Sequence, residues 1–409
     1  MSSTKKIIEA GGKKIVLIGT AHVSKESVEE VEREIKAEKP DCVAIELDEQ
    51  RLDSMRDSEK YRNIDIIKIL REGRVFLVLA NLILASFQKR IGDNTGVKPG
   101  DEMAAGIRVA EELGIPSVMV DRPIQTTLRR AWAKTPAIGK SKLLALLISS
   151  AFNSDEVSTQ EVEDLKDSSE MDSMMDDLAE AMPSVKEVLI DERDFYLASH
   201  IWKSVTKSAD GDNSSRNSVL AVLGAGHLRG VEKNILRIAN GEIQPDTDEI
   251  STLPKKSVAG KILKWLIPVL IVALIVSGFF IGGKEMAVDS IIQWFVCNGV
   301  LAGVGALIAL AHPLAILVSV VGAPFTSLCP FIGVGILSGI VQAALKKPTV
   351  GDLETVQDDV SSLKGFYKNR LLRVLLVFIL SSLGSSIGTF VAGSSLVVSL
   401  TQAISAMFK

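Results

Sequence analysis

From Ile262 to Ile281 the chain is almost wholly apolar. A helix of about 20 such residues spans the hydrocarbon core of a bilayer, so this run constrains the fold more than any other stretch. Ile291 to Ala311 is a second run of the same kind, and Leu371 to about Val398 is a further one. Leu314 to Leu345 is apolar but interrupted by Pro324 and Pro330. The expectation is a multi-pass protein of the cell membrane, its C-terminal part an α-helical transmembrane bundle with the lipid bilayer as partner. Gly299, Gly303, Gly305, Gly333, Gly335 and Gly339 recur in these runs. Small residues let helices approach closely, so the bundle reads as an anchor rather than a pore, and the same faces offer a route to homo-oligomers. His312, beside Pro313, is the one ionisable group deep in these runs. Such a group is by default a functional candidate; the preferred reading is a membrane-surface turn between two spans.

The charge divides at the same place. From Lys255 onward there are 12 basic and 6 acidic residues; before it there are 34 basic and 44 acidic. An acidic front excludes general nucleic-acid binding, which needs a basic face to displace counterions, and reads as a solvated surface. Cys42, Cys297 and Cys329 have no metal-type spacing and suggest no disulfide framework. The first residues run into a strand without a signal-peptide core, so the later segments are expected to direct insertion. Lys255, Lys256, Lys261 and Lys264 flank the first span, and basic flanks stay inside, which makes the N-terminal domain cytoplasmic. The loop from Lys346 to Arg373 is basic again. It is inside only if Leu314–Leu345 enters and leaves on one side as a re-entrant pair of half-helices; the rival is one long tilted span.

The front alternates strands and helices. Lys14–Gly19 is a buried strand, followed by a helix capped by Ser24, with Val28, Val31 and Ile35 on one stripe and a stop before Pro40. Asp41–Glu46 is a second buried strand, so this strand–helix–strand unit is parallel. Asp101–Leu113 is an amphipathic helix ended by Gly114; Ile115–Asp121 and Ser218–Leu223 are further strands, the latter followed by a helix from about Leu228 to Ala239. A mostly parallel α/β sheet follows. Val75–Phe87 is apolar but short for a span, hence a buried or groove-lining helix. Asp155–Met182 is acidic, Met-rich and without strand signals; Ser208–Asn217 is a turn-rich loop. The expected division is an α/β domain over residues 1–240, a linker over 241–260 and a multi-pass membrane domain over 261–409.

Polar residues fall at the strand ends. His22 follows the first strand in Gly19-Thr20-Ala21-His22, Glu46 ends the second, Asp121 and Arg122 end the third, and His227 follows the last in Gly224-Ala225-Gly226-His227. In open parallel sheets ligands bind outside the carboxyl ends of the strands, so His22, Glu46 and His227 can converge. Two His and a carboxylate suit Zn, Mn, Co or Fe(II), and such an ion activates water and polarises carbonyls. The rival readings are a satisfied buried imidazole, and, for the Gly-Ala-Gly-His run, an anion cradle at a helix N-terminus. Asp191-Glu192-Arg193, in a helix from Ser184 to about Thr206, reads as a solvated charged face, and His200 as a surface or packing residue.

Gly19-Thr-Ala-His-Val-Ser24, Val43-Ala-Ile-Glu-Leu-Asp48 with Arg51, Pro99-Gly-Asp-Glu-Met103, Asp121 to Arg129, Asp191-Glu-Arg193 and Gly224-Ala-Gly-His-Leu-Arg-Gly230 together resemble, in order, the TraB/PrgY family. The resemblance covers roughly the first 240 residues, and the hydrophobic tail resembles membrane-bound members. The family includes pheromone-shutdown and GumN-like proteins and is similar to the Tiki metalloproteases and, more distantly, to erythromycin-esterase-like and ChaN-like folds. The resemblance implies that His22, Glu46 and His227 are catalytic with a divalent ion (Mn, Co or Zn), and that Arg122, Glu192 and Arg193 match further family positions. The membrane arrangement departs from Tiki, whose catalytic domain is extracellular and singly anchored.

Three functions compete. The first is a membrane-bound, divalent-metal-dependent hydrolase of peptides or proteins, with Arg122 or Arg193 stabilising an oxyanion or binding a carboxylate. The second is a non-enzymatic binder that sequesters a small peptide signal in a groove of Val75–Phe87 and Met171–Met182. The third is a tethering protein that has lost its chemistry; the His, Glu and Arg set favours the first over the third.

Overall fold

The computed structural model describes residues 5–20, 25–56, 66–72, 74–95, 100–136, 139–140, 142–143, 145–146, 149, 179–206, 216–254, 258–329 and 331–407. They form two units: Met1–Tyr61 with Phe87–Pro254, and Arg62–Ser86 with Lys255–Lys409.

In the first unit, continuous apolar runs make the three inner strands, which are buried on both faces, whereas the edge strands are partly exposed. The strands are β1 Lys5–Ala10, β2 Lys13–Thr20, β3 Val43–Ile45, β4 Ser117–Met119 and β5 Ser218–Gly224, in the order β1-β2-β5-β3-β4. β1 runs antiparallel to β2 across Gly11 and Gly12, whose φ values of 57 and 74 lie in the left-handed region that glycine enters at no steric cost. The other pairings are parallel, so the sheet is mixed and mostly parallel. β2 and β3 are parallel as the sequence led us to expect, but β5 lies between them and pairs with both.

Alternate residues serve opposite faces. Ile15, Leu17, Val219, Ala221 and Leu223 pack with Leu197, Ile201, Val231 and Ile235 of the helices Glu192–Thr206 and Leu228–Ala239. Val16, Ile18, Leu220, Val222, Val43 and Ile45 pack with Val31, Ile35, Met103 and Ile107 of the helices Lys25–Glu38 and Asp101–Leu113. The latter ends at Gly114 (φ 67), as its glycine indicated. Cys42 is buried immediately before β3. Ser24, most of Asp155–Met182 and most of the loop Ser208–Asn217 lie outside the described residues.

The second unit is helical. Two helices, Trp265–Ile308 and Arg370–Ala406, are long and apolar enough to cross a membrane. The first belongs to a helical run, Val258–Ile308, that breaks at Gly283 (φ 75, ψ −167). Gly278 lies against Met286 and Ser290, so the run folds back on itself there. Each half has about 25 residues and a length of about 37 Å. Leu314–Leu345 is not one helix. It forms Pro313–Thr326 and Val334–Leu345, each about 20 Å long, with Gly322 against Val334 and Leu337. His312 caps the first of these, its Nδ1 accepting from the Leu314 amide at 3.2 Å, and so sits in a turn.

Close approach explains most of the glycines singled out in the apolar runs, Gly333 excepted, where an added Cβ would meet nothing within 4 Å. A Cβ on Gly305 would overlap the Leu380 carbonyl, one on Gly384 the Leu301 carbonyl, and one on Gly335 the Phe378 carbonyl. Asn298 is fully buried; its Oδ1 accepts from Ser327 Oγ at 2.8 Å and Thr389 Oγ1 at 3.0 Å, tying the short helix end to both long helices. The apolar segment read as groove-lining starts the helix Val75–Thr95, and its portion up to Ser86 belongs to this helical unit, where Phe76 packs edge-on to Phe378.

Candidate functional site

The carboxyl ends of β3 and β5 bring Glu46 and His227 together. Glu46 is the residue after β3, and its backbone N–H still donates to Val222 of β5 at 3.0 Å. Its side chain is 4% exposed and has both oxygens engaged. Oε2 accepts from the Gly224 amide at 2.6 Å, and Oε1 accepts from Arg193 Nη2 at 2.6 Å. His227 closes the one-turn 3-10 segment Ala225–His227 after β5. Its Nδ1 is 2.6 Å from Asp194 Oδ1, and its Nε2 is 3.7 Å from Glu46 Oε1. His22, two residues beyond the end of β2, lies outside the described residues.

The run Asp191-Glu192-Arg193-Asp194 supplies three partners in succession, Glu192 and Asp194 buried and Arg193 half-buried. A π turn, Glu187–Asp191, runs directly into the helix Glu192–Thr206; such turns widen a helix and re-aim the side chains beside them. Arg193 donates to Glu46 and also to Asp121, through Nε at 3.2 Å and Nη2 at 2.8 Å. Burial opposes its charge, but Asp121 and Glu46 raise its pKa. Asp194 takes His227. Burial pushes its pKa up against the pull of that imidazole. Gly230 makes the contact possible, since a Cβ there would overlap the Asp194 carboxylate.

Glu192 turns to a separate network. It accepts from Arg122 at 2.8 Å, from Arg130 at 2.8 and 2.7 Å, and from Lys134 at 2.8 Å. Burial raises its pKa, yet the hydrogen bonds from Arg130, Arg122 and Lys134 outweigh it and hold the pKa at about 2. Arg122 also donates to Thr127, to the Val188 carbonyl and to the Ile250 carbonyl; Arg130 reaches the carbonyls of Glu249 and Thr252. Burial lowers the Arg122 pKa. Here the expected solvated face is overturned: Glu192 and Asp194 are buried, and only Asp191, paired with Lys186, lies at the surface.

The sequence-expected residues thus separate. Glu46, Arg193 and His227 meet in one cluster. Arg122 and Glu192 meet in another, which pins the segment leading toward the helical unit. Asp194, Arg130 and Lys134 escaped the sequence reading; the acidic partner one residue beyond Asp191-Glu192-Arg193 was the available signal. His200 is a packing residue, stacked on Tyr196 at 4.2 Å, and burial, with Lys203 adding, lowers its pKa to about 4.

As ion donors, Nε2 of His227 and Oε1 of Glu46 at 3.7 Å fit two ligands each about 2.1 Å from one ion. A carboxylate on the other ring nitrogen is the arrangement that orients a metal-binding His. Arg193 competes for the same Glu46 oxygen. Asp48 Oδ2 is buried nearby in sequence and accepts no hydrogen bond among the described residues. Those residues contain no complete group of three ligands.

A mixed α/β domain with a buried Asp–His–Glu–Arg cluster at its carboxyl edge, followed by helices apolar enough to span a bilayer, defines the class. Residues 6–245 match the TraB/PrgY/gumN family and residues 259–401 match the TraB family protein, C-terminal domain. The chain belongs to the TraB/PrgY/gumN family. It is 34% identical to an uncharacterized protein of Methanocaldococcus jannaschii over 92% of this chain and 93% of that one. It is 26% identical to a TraB domain-containing protein of Bos taurus, over 68% of this chain and 76% of the relative. The Homo sapiens TraB domain-containing protein is 24% identical, over 69% and 77% respectively.

Proposed function

We propose that this protein is a membrane-anchored hydrolase acting on peptide bonds, with its reaction centre at the ends of β3 and β5. The observation that carries this is the His227 ring, held through Nδ1 by buried Asp194 and presenting Nε2 to Glu46. Asp194 fixes the tautomer that leaves Nε2 free to bind or accept a proton. Arg193, beside Glu46, stabilises negative charge developing at that edge. Arg122 does not take that role, because its guanidinium is fully buried and committed to Glu192, Thr127 and the carbonyls of Val188 and Ile250. A divalent ion (Mn, Co or Zn), when bound by His227, Glu46 and His22, supplies Lewis acidity. Peptides are favoured as substrate by the resemblance to Tiki.

On this reading the two segments on either side of Gly283 are two antiparallel spans, the helix Arg370–Met407 is a third, and the two short helices are a re-entrant pair; their lengths support it. With basic residues flanking the first span, the α/β domain faces the cytoplasm.

The test uses the full chain in detergent with a peptide library. Chelated protein should be inactive and regain cleavage with Mn, Co or Zn. Glu46→Gln should lower cleavage at least 100-fold, the scale of a lost ligand or proton acceptor. Tight peptide binding with no cleavage under any ion would replace this reading with the sequestering one.

A further inference from the structure

A cleft of about 880 Å³ adjoins the cluster, with Asp194 and Gly226 in its wall. That volume lies in the range of small-ligand sites. Arg229, Lys233 and Arg237 line it from the helix Leu228–Ala239 at four-residue spacing, hence from one face, and Lys186 adds a fourth cation. Its two carboxylates are already engaged: Asp191 holds Lys186 at 2.6 Å, and Asp194 holds His227 at 2.6 Å. Arg237 lies 3.6 Å from Glu242, whereas Lys233 has no ion-pair partner among the described residues. Ile190 and Phe195 give the lining an apolar portion. In a domain whose overall charge is acidic, four cations against two engaged carboxylates leave this cleft with an excess of positive charge beside the cluster, and such an excess gathers anionic ligands.

We infer that the cleft binds an anionic group, a carboxylate or a phosphate, carried on an apolar moiety. The anion sits on Lys233 and its helical neighbours, and the apolar part lies against Ile190 and Phe195. Taken with the hydrolase reading, on which this step rests, the substrate class becomes peptides with an acidic end beside an apolar residue.

The experiment is calorimetric titration of the full chain in detergent at low salt with three probes: N-acetyl-leucyl-phenylalanine, its C-terminal amide, and inorganic phosphate. The acid should bind at least about tenfold more tightly than the amide, as loss of one charge-assisted contact implies. Lys233→Glu should weaken acid binding about tenfold or more, Lys233→Arg should retain it, and added salt should weaken it in the wild type. Lys233 is exposed, so neither change should disturb folding. Phosphate binding more tightly than the dipeptide acid and displacing it identifies a phosphate ligand; the reverse order identifies a carboxylate. Equal binding of acid and amide, binding of neither anion, or an unaffected Lys233→Glu protein would overturn the inference. Absent hydrolysis with this selectivity intact would count against the hydrolase reading and leave the cleft assignment standing.

Discussion

At the scale of single residues, adjacent positions of one helix serve unrelated ends. Glu192 gathers Arg122, Arg130 and Lys134; Arg193 braces Glu46; Asp194 orients His227. These burials carry a pH signature. His200 titrates at about 4 in the folded chain against 6.5 for an ordinary imidazole, so the unfolded chain takes up the proton first. Its contribution is fully present above pH 6.5 and is lost as pH falls toward 4. Glu192, at about 2 against 4.5, contributes above pH 4.5 and loses that contribution between 4.5 and 2. Thermal melts should therefore fall in two stages on acidification, and His200→Gln should remove the upper stage alone. A His200→Gln protein whose melting temperature still declines between pH 6.5 and 4.5 as the wild type does would contradict the assignment.

At the scale of elements, the proposed topology rests on the break at Gly283 and the pair of short helices. If the first span leaves the cytoplasm and the second returns, a re-entrant pair would keep the basic stretch before Arg370 inside. Single cysteines placed within Gly351–Gly365 should be labelled only from the cytoplasmic face of vesicles; labelling from outside would mean that the pair crosses. The buried strands were legible in the sequence because apolar runs bounded by Gly, Pro and Asp leave few alternatives. The first residues do run into a strand, β1, but its hairpin with β2 across Gly11-Gly12 went unread, since Lys5, Lys6 and Glu9 interrupt the apolar pattern before it. The insertion of β5 between β2 and β3 had no local signal, since strand order is set by long-range packing. The burial of Glu192 and Asp194 was equally hidden: a charged run looks solvated until its cations, 60 or more residues away in the case of Arg122 and Arg130, are known.

At the scale of the whole molecule, a family α/β domain and an apolar helical part share one chain, and both halves match TraB-family regions. The short helix Asp248–Ser251 near the end of the α/β domain is held by Arg122 and Arg130 through backbone carbonyls, so the Glu192 network fixes this end of the domain while the Glu46–His227 cluster stays separate from it. The proposed function makes His227 the reacting imidazole of a hydrolase. Its most direct test is kcat/KM for peptide cleavage by the full-length protein in proteoliposomes, comparing wild type with His227→Gln under saturating Mn, Co or Zn. A fall of at least about 1000-fold is expected with the fold and melting temperature retained; a His227→Gln protein that cleaves at the wild-type rate would rule out that role for His227.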